Sequence, residues 1–232
     1  MRAAVTAAMV VLLAANAEAG DPRRKFYTIE TDHFIVHYYE TAPRGAPVPS
    51  RPPRLADVAR RIAVLAERAH RTLVPALDHK PKGKTLIAVV DDTDSANGFA
   101  GVLPRNAIQL FATAPGSFSE LDDHDDWLYG LVAHEYTHII HLDTMSGLPN
   151  IYNRIFGKTW SPNQIMPRWV IEGIATYEES KRSAGGRNRG SRFEQFIRIA
   201  RHANRDLRLD EISGAPRQFP RGNAAYVYGS HF

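Results

Sequence analysis

His134-Glu135-Tyr136-Thr137-His138 sets two imidazoles four residues apart, with a carboxylate beside the first. On a helix, side chains at that spacing stack on one face. His134 and His138 can therefore hold one zinc ion between them, leaving Glu135 beside the metal's open position. The chemistry such a set can perform is hydrolysis: zinc polarises a carbonyl and acidifies water, and Glu135 serves as general base, carrying a proton from the water to the leaving group. The motif lies in an apolar run from Trp127 to Leu142, and Leu131, Val132, Ile139 and Ile140 around it predict a buried helix.

Catalytic zinc takes three protein ligands and keeps one position open. His141, Asp143, Glu172, Glu178 and Glu179 are the candidates downstream. His141 follows His138 by three residues and cannot reach the same ion from one regular helix. Patterns with a third histidine place it six residues after the second, where this chain has Thr144. Glu172 is the better donor. It lies 172 − 138 = 34 residues on, in Trp169-Val170-Ile171-Glu172-Gly173-Ile174-Ala175-Thr176-Tyr177, and a carboxylate among apolar residues needs something to neutralise it. Gly173 beside it removes a side chain where two helices must approach.

These two motifs together resemble the gluzincin branch of the zincin peptidases, and most closely the bacterial peptidase-MA-like families, which are related to the aminopeptidases. The likeness extends from about Phe26 to Phe232, with smaller pieces in Asp91-Asp92-x-Asp94-x-x-Asn97-Gly98, Pro104-x-Asn106, Trp127 and Ala225-Tyr226-x-x-Gly229. It implies a zincin-like fold, with His134, His138 and Glu172 as zinc ligands, Glu135 as general base, and a peptide or protein as substrate. It also implies an edge strand lining the cleft, matched by Asn106 to Thr113, against which extended peptide pairs. A downstream tyrosine that stabilises the oxyanion is matched by Tyr226, with Tyr228 the alternative. Several such proteins continue into a β-propeller. The chain departs from the pattern in its long ligand spacing and in Thr176, where some relatives carry an acidic partner for a ligand histidine. Asp143 is available for that orienting role.

The elements that must position these residues can be read from periodicity. Phe26 to Tyr39 alternates as one or two strands, and Thr41 to Pro53 is a Pro-rich loop. Leu55, Val58, Ile62, Leu65, Ala66, Ala69 and Leu73 recur at helical spacing, predicting a helix from about Arg54 to Leu77 in which His70 is structural or at the surface. Lys84 to Val90 reads as a buried strand, Asn97 to Gly101 as a turn and Asn106 to Thr113 as another strand. Asp122, Asp123, Asp125 and Asp126 form a solvated approach to the zinc helix, where negative charge is favoured. Pro149 to Pro167 reads as an irregular connection. Helices follow over about Arg168 to Lys181, opened by Pro167, and over Phe193 to Ala203, with a loop over Ser213 to Asn223. Ala224 to Phe232 starts a helical pattern without a capping signal, suggesting a fragment of a longer product. The fold class is α+β: an N-terminal mixed sheet, the zinc helix, then a mainly helical part.

Met1 to Ala19 reads as a cleavable leader, with Arg2, the apolar run Ala3 to Ala15 and Ala17-Glu18-Ala19 before Gly20. Residues 20–232 would then be one zincin-like domain, exported to a periplasm or beyond, with no membrane span after leader cleavage. The absence of cysteine excludes disulfides, thiolate metal sites and a cysteine nucleophile. The net charge of +4 does not amount to a nucleic-acid footprint, because the basic residues are scattered and not interleaved with aromatics. Two other functions remain open from the residues: a zinc hydrolase acting on a non-peptide bond, and a non-catalytic envelope module that uses the fold for binding. The latter has no use for Glu135.

Overall fold

The computed structural model describes residues 24–40, 55–116, 126–214 and 223–231. The leader, the loop from Thr41 to Pro53, Asp122, Asp123 and Asp125, and most of the Ser213 to Asn223 loop lie outside the described residues.

The apolar alternation over Phe26 to Tyr39 forms two strands, β1 (Lys25–Glu30) and β2 (Phe34–Glu40), paired antiparallel with Lys25 opposite Glu40. The break falls at Thr31–His33, where Thr31 N donates to Phe34 O (3.0 Å) and His33 N donates to Glu67 Oε1 (2.9 Å). Helix α1 (Leu55–Leu77) returns the chain to β3 (Thr85–Val90), parallel to β2. Then come β4 (Gly98–Gly101) and β5 (Ala107–Phe111), with β5 parallel to β3 and antiparallel to β4. The sheet order is β1-β2-β3-β5-β4. Phe34, Val36, Ile87, Val89, Ile108 and Leu110 line one face of this mixed sheet and are buried against α1 and α2 (Trp127–Asp143). That alternation is the period of two that a half-buried sheet demands.

Helix α2 is the centre of the molecule. Fifteen of its 17 residues are buried, which is what an apolar pattern without a polar face requires. Asp126 caps it, accepting from Tyr129 N (3.3 Å) while pairing with Arg61 (2.9 Å). That places one of the four acidic residues at the positive helix end. Beyond α2 run α3 (Gly147–Phe156), a 3₁₀ turn (Pro162–Ile165), α4 (Arg168–Lys181), α5 (Ser191–His202), α6 (Leu209–Ile212) and α7 (Ala224–Gly229). Among the described residues the molecule is thus α+β, with a five-stranded mixed sheet and seven α-helices. None of those helices is long and apolar enough to cross a membrane.

Three expectations need correction. The cleft-side edge of the sheet is β4, which read as a turn because it is short and glycine-rich. The strand expected there, β5, lies one place inside, between β3 and β4. The stretch from Pro149 to Pro167 contains most of α3 and the 3₁₀ turn. Leu148, Ile151, Tyr152, Ile155 and Phe156 recur at helical spacing there, a pattern that Pro149 and the two asparagines obscure, and the stripe is left exposed, with no residue of α3 buried. Short α6 was not anticipated. Helix α7 packs Ala224, Val227 and Tyr228 against Phe193, Leu207 and Ile212 in a second apolar cluster.

Candidate metal centre

Helices α2 and α4 bring His134, His138 and Glu172 together, with Glu172 one turn into α4. The Nε2 atoms of His134 and His138 are 3.2 Å apart, and Glu172 Oε2 lies 3.4 Å from the first and 3.3 Å from the second. Ligands held 2.0–2.1 Å from zinc at tetrahedral angles are about 3.3–3.4 Å from one another. The three donor atoms therefore form one face of a tetrahedron of the size zinc takes. Glu172 Oε2 is buried without a hydrogen-bond partner, as is His138 Nδ1. A buried carboxylate oxygen facing two imidazole nitrogens, with no donor of its own, suits a cation.

Electrostatics describe the same preference for positive charge. At His134, burial and Arg187 press the imidazole toward its neutral form, but Glu179 and Glu172 outweigh them and hold its pKa up at about 9. Burial acts to raise the Glu172 carboxyl, yet His134 and His138 hold it well below the usual carboxylate range. At Glu135, burial prevails over the two histidines and pushes the carboxyl up.

His134 is steered from behind. Its Nδ1 donates to Glu179 Oε2 (2.8 Å), and Glu179 is wholly buried. An imidazole donating through Nδ1 turns its Nε2 lone pair toward the metal point. The orienting role considered for Asp143 is thus filled by Glu179. Asp143 instead binds His79 Nε2 (2.9 Å) and Lys158 on the far side of the helix end. Glu178 pairs with Arg182, and His141 stands outside the donor set. Glu179 had a readable signal, since seven residues are two helical turns and put it on the face of Glu172. Arg187 had none, because it comes from a loop.

A cavity of about 630 Å³ opens over the donor set, walled by β4, Glu135, Arg168, Ile171 and Tyr226. Gly98 on β4 is required there: a Cβ on it would sit 2.8 Å from Glu135 Oε1. Tyr226 stacks 6.0 Å from the His134 ring, with Arg187 5.1 Å and Arg168 5.7 Å from its centroid. Burial, reinforced by Glu172, pushes its phenol up to about 12 against the pull of those arginines. Tyr228 faces the second apolar cluster and is absent from the cavity wall. Helix α7 can bring Tyr226 this close because Gly173 and Gly229 meet directly. A Cβ on Gly173 would lie 2.3 Å from the Gly229 carbonyl oxygen.

No family model matches the chain, and no curated protein matches it significantly. Among solved structures it is similar to an aminopeptidase N family protein from Idiomarina loihiensis, at 13% identity and a TM-score of 0.36. The similarity covers 68% of this chain and 24% of that one, so the chain spans about a quarter of that protein's length. A likeness of this strength decides neither fold nor activity.

Proposed function

We propose that this chain is a zinc-dependent peptidase of the gluzincin type on a zincin-like fold, with His134, His138 and Glu172 as ligands and Glu135 as general base. The observation that carries the reading is the triangle of donor atoms, 3.2, 3.3 and 3.4 Å on its sides, drawn from two separate helices. Zinc, when bound there, supplies Lewis acidity toward a carbonyl oxygen and brings the pKa of a nearby water toward about 7.

The protein's own groups account for the rest. Glu135 is buried at the cavity wall next to β4, where it takes a proton from the attacking water and hands it to the departing amine. Strand β4 is an edge, so its outer backbone groups can pair with an extended peptide beside that carboxylate. Tyr226 keeps its proton at neutral pH and donates to the oxygen that gains negative charge. A peptide or protein substrate, export by the leader and a following propeller belong to the same reading.

The test is Glu135→Gln, assayed with a peptide library and by metal analysis. Hydrolysis should fall about 100–10,000-fold while zinc content is unchanged. Turnover equal to wild type would remove Glu135 from the mechanism.

A further inference from the structure

The loop after α4 folds back on the metal site. Gly186 turns at φ +111°, so close to α4 that a Cβ would lie 2.8 Å from Ser180 Cα. Its carbonyl accepts from Arg189 N (2.9 Å) and Gly190 N (3.0 Å). Asn188 N donates to Ser180 Oγ (3.2 Å), and Asn188 Nδ2 donates to Ser230 O (3.2 Å) just past α7. The loop is therefore fastened both to the helix bearing Glu172 and to the helix bearing Tyr226.

Its cargo is Arg187, a buried guanidinium. Arg187 Nε donates to Glu179 Oε1 (2.7 Å) and Nη2 to Glu179 Oε2 (2.8 Å). This two-pronged grip fixes the plane of the carboxylate, which a single point charge could not do. Glu179 Oε2 is also the acceptor for His134 Nδ1. A carboxylate held in that plane keeps Nδ1 a donor and turns Nε2 toward Glu172 and His138.

We infer that Arg187 is a positioning residue for the metal centre, acting through Glu179 to fix the orientation and tautomer of His134. This rests on the zinc reading above. Arg187 is outside the three-residue donor set, reaches the cavity wall and sets Nη2 3.2 Å from His134 Nδ1; its effect is on how well His134 is presented. Partners that orient metal-bound histidines are typically worth about 10–100-fold in metal affinity. The guanidinium also lies under Tyr226, so the same loop keeps the oxyanion donor in register with the metal.

The test is zinc affinity of the 232-residue chain, measured by competition with a chromophoric chelator. Arg187→Met, Arg187→Lys, Glu179→Gln and the Met/Gln double variant are compared with wild type, with melting temperatures of the zinc-free forms alongside. Arg187→Met should weaken zinc about 10–100-fold. Arg187→Lys keeps the charge without the fork and should fall between it and wild type. The double variant should bind no more weakly than Glu179→Gln, because once the carboxylate is neutral the guanidinium's remaining approach to His134 Nδ1 (3.2 Å) opposes positive charge there. Should Arg187→Met fail to fold, Arg187→Lys and the double variant carry the test. A wild type that binds zinc beside Arg187 variants of equal affinity, even with lowered melting temperatures, overturns the inference alone. A wild type without zinc overturns the metal reading itself.

Discussion

Two histidine clusters flank helix α2, and they differ in how their contacts converge. On one flank His70 Nδ1 meets the Tyr136 hydroxyl (2.7 Å), and His33 stacks 3.6 Å above His70 while its own Nδ1 meets Glu67 (2.8 Å). On the other, His134 and His138 meet Glu172. Both combine imidazoles, a carboxylate and a tyrosine in the interior. In the first cluster the contacts are pairwise, donor to acceptor. In the second, three atoms able to ligate a metal converge on one point, and the carboxylate oxygen among them lacks a hydrogen-bond partner. Residue type does not distinguish the two clusters; convergence of ligating atoms on one point does.

The sharpest way to break this contrast is a matched pair of variants. Glu172→Ala removes one corner of the triangle and should weaken zinc by more than about 100-fold, beyond what loss of an orienting partner costs. His70→Asn should leave zinc affinity within about twofold, since ordinary variation between independent sites is no larger. Equal losses in dialysis against zinc would erase the distinction.

The contrast predicts a second, smaller separation between two tyrosines on α7. With zinc saturating, Tyr226→Phe should lower kcat about 100-fold, the scale of a lost oxyanion donor. Tyr228→Phe should not change kcat, because its hydroxyl lies away from the cleft. Steady-state kinetics on one good peptide would decide between them.

Smallest in size is a pH effect confined to the paired cluster. Burial, with His33 adding to it, holds the His70 pKa down at about 4, against an ordinary 6.5. As pH falls through about 6.5 the unfolded chain takes up this proton first, so the folded state loses stability progressively down to about 4. In chelator-treated protein, the melting temperature should drop about 2–4 °C more between pH 7 and pH 5 in wild type than in His70→Asn. Identical pH slopes would exclude His70 as the cause.

Much of this arrangement was legible in the chain because α2 and α4 are long and strongly patterned. The H-E-x-x-H spacing fixes two side chains on one face, and a glutamate beside Gly173 in an apolar helix needs both a counter-charge and a close neighbour. The structure supplies that neighbour as Gly229. What escaped notice was short, irregular or, in α3, interrupted by proline and left unburied. Strand β4 has four residues, two of them glycine, and its pairing is set by β5 rather than by propensity. Arg187 reaches Glu179 from a loop whose path depends on Gly186, a backbone choice that no periodicity reports. Asp143 misled because proximity in sequence to His138 says nothing of direction: it sits at the end of α2, turned toward His79.

Zinc K-edge X-ray absorption on the loaded wild-type chain tests the central claim most directly. Two imidazole nitrogens and carboxylate oxygen at about 2.0–2.1 Å, in a four- to five-coordinate shell, are expected if His134, His138 and Glu172 converge on one ion. A six-coordinate oxygen shell without imidazole scattering would contradict the account.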